Sequence, residues 1–118
     1  MSSDRAPEAV SSPASAGIVD ELFAVIKERQ ATRPEGSYTS RLLAGGVDAV
    51  ARKVAEEATE VVMAAKDDAV AEHSGAPRPR AELAGELADL LYHALVLCAE
   101  RGLEPSAVMA TLRSRHAR

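Results

Sequence analysis

The chain has 118 residues and a mass of 12.4 kDa, the size of one domain. Hydrophobic residues make up 47% of it, yet 24 of them are Ala and only 25 are Leu, Ile, Val or Phe; a single copy builds a thin core, and association is the simplest remedy. A net charge of −4, a pI near 5.4, one Phe, two Tyr and no Trp argue against a basic or base-stacking nucleic-acid surface.

Residues 1–16, rich in Ser, Ala and Pro, show no periodicity and are read as a flexible tail preceding an all-α domain over 17–118. The tail has no apolar stretch of the secretory kind, and no apolar run anywhere approaches the roughly 18 to 20 residues of a membrane span, so a cytoplasmic, non-membrane protein is expected.

A first helix is expected from Ile18 to Ala31, with Asp20 and Glu21 in its electropositive first turn and Pro34 and Gly36 beyond its end. A short helix follows over Thr39 to Ala44, with Thr39 or Ser40 as its N-cap and Gly45-Gly46 as its stop. Val47, Val50, Val54, Ala58, Val61 and Ala65 recur at spacings of three and four and mark a long helix over Val47 to Ala71. His73 to Pro79 reads as a loop. A second long helix, Arg80 to Glu100, carries a Leu stripe and the lone Cys98, which excludes an intrachain disulfide or a Cys-cluster zinc site. Gly102 closes it, and Pro105 opens a last helix to Ser114. Two long helices joined by a short loop form an antiparallel hairpin.

Acids at i,i+3 occur twice, as Glu57/Glu60 and Glu86/Asp89, which is no more than chance supplies among 18 acids. Their setting is more informative. Glu86 and Asp89 stand in an otherwise apolar stretch with no Lys or Arg three or four residues away. At 100° per residue they share a narrow arc with His93 beside the Leu stripe, and Glu56, Glu57 and Glu60 flank the Val stripe in the same way. Packing the stripes together converges four or five carboxylates, which repel unless protons or a cation compensate. An all-oxygen set of this kind suits a hard cation, Mg²⁺ first and Mn²⁺ or Ca²⁺ next. Glu-x-x-His is absent, which removes the di-iron helical-bundle reading. His93, at i,i+4 from Asp89, is expected to orient that carboxylate. Arg29, Arg33, Arg41, Arg52, Lys53 and Lys66 form a second, cationic group near the seam, and Ser37-Tyr38-Thr39-Ser40 opens the short helix, where N–H groups can meet an anion. No P-loop, Gly-x-Gly-x-x-Gly or Gly-x-Ser-x-Gly pattern occurs.

The run from Lys53 to Lys66, KVAEEATEVVMAAK, followed by Glu86 to His93, ELADLLYH, resembles the phosphoribosyl-ATP pyrophosphatases, all-α nucleotide pyrophosphohydrolases of the MazG type. Glu57/Glu60 and Glu86/Asp89 match the shared Glu-x-x-Glu and Glu-x-x-Asp signature. Ser37 to Leu43 and the Asp89-to-His93 run narrow the match to the phosphoribosyl-ATP branch, and the resemblance spans about residues 18–115. It implies hydrolysis of phosphoribosyl-ATP to phosphoribosyl-AMP and pyrophosphate in histidine biosynthesis, a Mg²⁺ cofactor, a homodimer of helical hairpins, and a cytoplasmic location. It also implies that Glu57, Glu60, Glu86 and Asp89 hold the metal and that Glu56 orients or deprotonates the attacking water. Lys53 and one or more of Arg29, Arg41 and Lys66 then neutralise the phosphates, and Ser37 and Thr39 are candidates for contacts to phosphate or ribose. No cyclohydrolase segment accompanies the domain, so the next pathway step is expected from another chain. Two other readings compete: a MazG-type enzyme acting on another nucleoside triphosphate, and a non-enzymatic helical dimerisation module.

Overall fold

The computed structural model describes residues 17–117, in which there are five helices and no strand. They are α1 (Ile18–Thr32), α2 (Tyr38–Ala44), α3 (Gly46–Ser74), α4 (Arg80–Arg101) and α5 (Pro105–His116). The all-α reading is correct; the tail assigned to residues 1–16 lies outside the described residues.

Two boundaries differ from expectation for identifiable reasons. The short helix is capped by Ser37 rather than Thr39 or Ser40. Ser37 is the last extended residue (φ −80°, ψ 123°), and its Oγ accepts the Ser40 N–H at 3.1 Å. The hydroxyls of Thr39 and Ser40 turn inward instead, Thr39 to the Tyr92 hydroxyl and Ser40 donating to the Arg29 carbonyl at 3.1 Å. At the far end of α3, His73 and Ser74 remain helical. The stop is Gly75 at φ +79°, whose left-handed conformation lets the Ala76 N–H reach back to the Ala71 carbonyl at 3.0 Å.

α3 and α4, of 29 and 22 residues, pair extensively as an antiparallel hairpin, with α1 packed on α4 and α2 wedged against α1 and α3. The core sits at one end of that hairpin. It consists of Phe23 and Ile26 from α1, Leu43 from α2, Val50 near the start of α3, and Leu95, Val96 and Ala99 near the end of α4. No apolar side chain between Val50 and Leu95 in chain order is buried. The distal half of the hairpin exposes Val62, Met63, Val70, Leu87 and Leu91. The thin core inferred from composition is therefore confined to one end.

Charge organises the other end. Asp68, buried on α3, accepts two hydrogen bonds from Arg78 (Nε at 3.1 Å, Nη2 at 2.7 Å) and one from Arg80 (2.9 Å), tying the Pro77-Arg78-Pro79 connection to the helix. The Arg78 hydrogen bond is the main reason the Asp68 carboxyl titrates below its ordinary range. A depressed folded-state pKa contributes stability at pH values above the usual carboxylate pKa, which is lost as pH falls through the folded-state value. Asp68→Asn is expected to lower Tm by on the order of 5 °C at pH 7, the gap to wild type narrowing as pH falls below the ordinary carboxylate pKa. Thermal melts across pH check this; a gap that persists unchanged into acid contradicts it.

Candidate active site

The hairpin brings three carboxylates together where its apolar core gives out. Glu57 on α3 and Glu86 and Asp89 on α4 each present an oxygen within 4.8 Å of the other two. Glu57 is buried, Glu86 half-buried and Asp89 exposed, so the group opens outward from the α3–α4 seam. Burial is the first reason that the Glu86 carboxyl is pushed above its ordinary value, followed by the charges of Glu60, Asp89 and Glu57. Glu60 thus lies near enough to act on Glu86, but it is exposed and stands outside the trio.

One cation reaches the edge of this group. Lys53, one helical turn before Glu57, lies 3.2 Å from its Oε2 and 3.6 Å from the Oε1 of Glu56. The Glu57 hydrogen bond is the main cause of its raised pKa, with Tyr38 next, so Lys53 is held as an ammonium. Glu56 is exposed. Lys53 stays part-exposed and retains donors for an incoming anion.

The chemistry of the donor set fits a hard dication. All three groups are carboxylates, they crowd one another, and the only cation paired with them in the described residues bonds Glu57 alone.

A model of the phosphoribosyl-ATP pyrophosphohydrolase family matches residues 19–116. The chain belongs to that family. Among its relatives, the Histidine biosynthesis bifunctional protein HisIE of Deinococcus radiodurans is 48% identical over 99 residues, which is 84% of this chain and 41% of that protein. The protein of the same name from Bacillus subtilis is 48% identical over 100 residues, 85% of this chain and 43% of that one. The Phosphoribosyl-ATP pyrophosphatase of Pelotomaculum thermopropionicum is 43% identical over 98 residues, 83% of this chain and 90% of that protein. The chain thus spans less than half the length of the bifunctional relatives.

The other residues expected at the site occupy varied positions. Arg29 and Ser37 line an open polar hollow at the end of α1 with Thr32 and Glu35, and Arg29 pairs with Glu28. Arg41 is exposed on α2. Thr39 is buried, its hydroxyl committed to Tyr92. Lys66 is exposed and, nine residues from Glu57 at 100° per residue, faces the opposite side of α3. His93 departs from expectation: its Nδ1–H donates to the backbone carbonyl of Asp89 at 2.7 Å rather than to the carboxylate. A ring at i,i+4 folds back along the helix onto the carbonyl one turn earlier, while the exposed Asp89 carboxylate joins Glu57 and Glu86.

Sequence reasoning missed the partner of the other His93 nitrogen. The Tyr38 hydroxyl donates to Nε2 at 2.8 Å, across 55 residues of sequence. Only the adjacency of Tyr38 to the hydroxyl run pointed toward it.

Proposed function

We propose that this protein hydrolyses phosphoribosyl-ATP to phosphoribosyl-AMP and pyrophosphate, the second step of histidine biosynthesis, with Mg²⁺ as cofactor. The observation that carries the reading is the convergence of Glu57 with Glu86 and Asp89 across the α3–α4 seam in a member of this family. Glu57, Glu86 and Asp89 would hold the metal, with Glu60 at the rim. When bound, Mg²⁺ offsets the carboxylate repulsion, polarises phosphoryl oxygens and makes water a better nucleophile.

The chain's own groups supply the rest. Lys53, anchored by Glu57, meets negative charge developing on the phosphates. Glu56 is exposed beside it and takes the proton of the attacking water. Water forms a bond to one of the two phosphorus atoms flanking the α–β bridge, the P–O bond from that phosphorus to the bridging oxygen breaks, and pyrophosphate leaves. Arg29, Ser37 and Arg41 lie on the α1 end and α2, where they can steer the rest of the nucleotide. Thr39 and Lys66, one buried and one facing away from Glu57, have no direct route to this site within one copy.

The assembly is a homodimer in which a second copy covers the distal apolar face of the hairpin. Support comes from the confined core and from exposed Leu87 and Leu91, one turn apart on α4. Leu91 also borders a hollow of about 300 Å³ lined by Ile18, Leu22, Cys98, Val108 and Met109. The cytoplasmic location rests on the pathway assignment. Product analysis tests the reaction: phosphoribosyl-AMP and pyrophosphate in equal amounts are expected, and orthophosphate as the first product overturns the cleavage site.

A further inference from the structure

A purine presents a flat face as well as a polar edge, and few side chains of this protein can meet the face. The sequence holds one Phe, two Tyr and no Trp. Phe23 is buried in the core, and Tyr92 is half-buried with its hydroxyl against Thr39. Tyr38, the first residue of α2, is 44% exposed, the one ring of the three open to solvent.

Hydrogen bonds fix where that ring stands. The Tyr38 hydroxyl gives its proton to Nε2 of the buried His93 at 2.8 Å, and Nδ1–H of the same imidazole donates to the Asp89 carbonyl at 2.7 Å. A single imidazole therefore separates the tip of Tyr38 from the backbone of a member of the carboxylate trio. With its proton spent on His93, the phenol donates to nothing else, and what it offers a ligand is its ring. His93 stands at 85° to that ring, and among the described residues no aromatic side chain lies flat on it. In the other direction Ser37, one residue earlier, lines the polar hollow with Arg29, Thr32 and Glu35. Tyr38 thus connects the acid trio to that hollow.

We propose that the exposed ring of Tyr38 stacks on the purine of the substrate while the triphosphate runs to the carboxylates. This inference rests on the pyrophosphohydrolase reading above. In phosphoribosyl-ATP the added ribose sits on N1 of the adenine, which makes the base more basic and cationic once protonated. A phenol face attracts such a ring by cation–π interaction as well as by stacking. Scarcity of aromatic side chains, which argues against a surface for a nucleic-acid strand, leaves one platform for one base.

Tyr38→Leu is expected to raise KM for phosphoribosyl-ATP on the order of tenfold, the loss of one stacked base, with kcat changed less. Tyr38→Phe loses the bond to His93 but keeps the ring, so its KM stays within about threefold of wild type. Product inhibition separates a base contact from general damage. In Tyr38→Leu the inhibition constant of phosphoribosyl-AMP rises with KM, whereas that of inorganic pyrophosphate, which has no base, stays within about twofold. An unchanged KM in Tyr38→Leu overturns the proposal. So does a Tyr38→Phe variant as impaired as Tyr38→Leu, or a pyrophosphate constant that rises in step with the other. If Tyr38→Leu does not fold, tyrosine emission decides, since the sequence has only Tyr38 and Tyr92 and no Trp. Phosphoribosyl-AMP, with its own absorption corrected for, is expected to quench the emission of Tyr92→Phe, in which Tyr38 alone emits; emission that does not change overturns the proposal. A wild-type chain inert toward phosphoribosyl-ATP overturns the underlying reading as well, while an active wild type indifferent to the Tyr38 ring overturns this inference alone.

Discussion

Glu57→Gln is expected to cut kcat/KM for phosphoribosyl-ATP by on the order of a thousandfold, with Asp89→Asn close behind, while both variants keep wild-type helicity. Each substitution removes one anionic oxygen donor from a set of three that lies within 4.8 Å. An amide retains the shape and one neutral oxygen but not the charge that binds a hard dication. Stability should move the other way without metal. Asp89 is exposed, has no basic partner among the described residues, and contributes to the raised pKa of Glu86, so Asp89→Asn relieves repulsion and leaves the metal-free Tm equal or higher. Wild type, by contrast, gains about 2.7 kcal/mol when Mg²⁺ reaches 100 times its dissociation constant, and the variants lose that gain at the same concentration. Paired activity assays and thermal melts with and without Mg²⁺ check both arms. Full activity in either variant removes the three carboxylates from the metal site.

Leu91→Asp is expected to convert the proposed dimer to a monomer. Leu91 is 67% exposed in one copy, so replacing it should be nearly neutral for an isolated chain, within about 0.5 kcal/mol. Any large consequence must be read through association. In the dimer the same substitution buries an unpaired carboxylate against the apolar face formed by Leu87 and the hollow between α1, α4 and α5. Sedimentation equilibrium should give one copy's mass, 12.4 kDa, instead of twice that, and Tm should fall by on the order of 10 °C. The drop follows from the placement of the core: Ile26, Val50 and Val96 are its largest fully buried side chains, and the distal hairpin has none of its own. A variant that sediments as wild type places the interface elsewhere.

Much of this architecture is legible in one sequence because helices declare themselves locally. Spacings of three and four along Val47 to Ala65, Pro105 at a first helical turn and Gly102 at φ +68° each depend on neighbours within a turn or two. The acid trio was legible for a related reason: Glu57 and the Glu86/Asp89 pair flank apolar stripes that must face each other in a hairpin. What stayed hidden depends on choices among chemical equals or on distance. Ser37, Thr39 and Ser40 are all capable N-caps, and only packing against Tyr92 and Arg29 commits the latter two elsewhere. Asp68 looks like one more solvated acid until the Pro77-Arg78-Pro79 connection folds back onto it. His93 has an acid one turn away, yet its geometry selects that residue's backbone, and its second partner, Tyr38, comes from another helix. Neither long-range bond leaves a periodic trace.

The central claim is tested most directly by measuring pyrophosphate release from phosphoribosyl-ATP, with and without Mg²⁺, beside ATP and a panel of deoxynucleoside triphosphates. Mg²⁺-dependent release from phosphoribosyl-ATP, far above that from any other nucleotide, is the predicted result. Release from other nucleotides with phosphoribosyl-ATP spared, or no release and no Mg²⁺ effect on Tm, contradicts it.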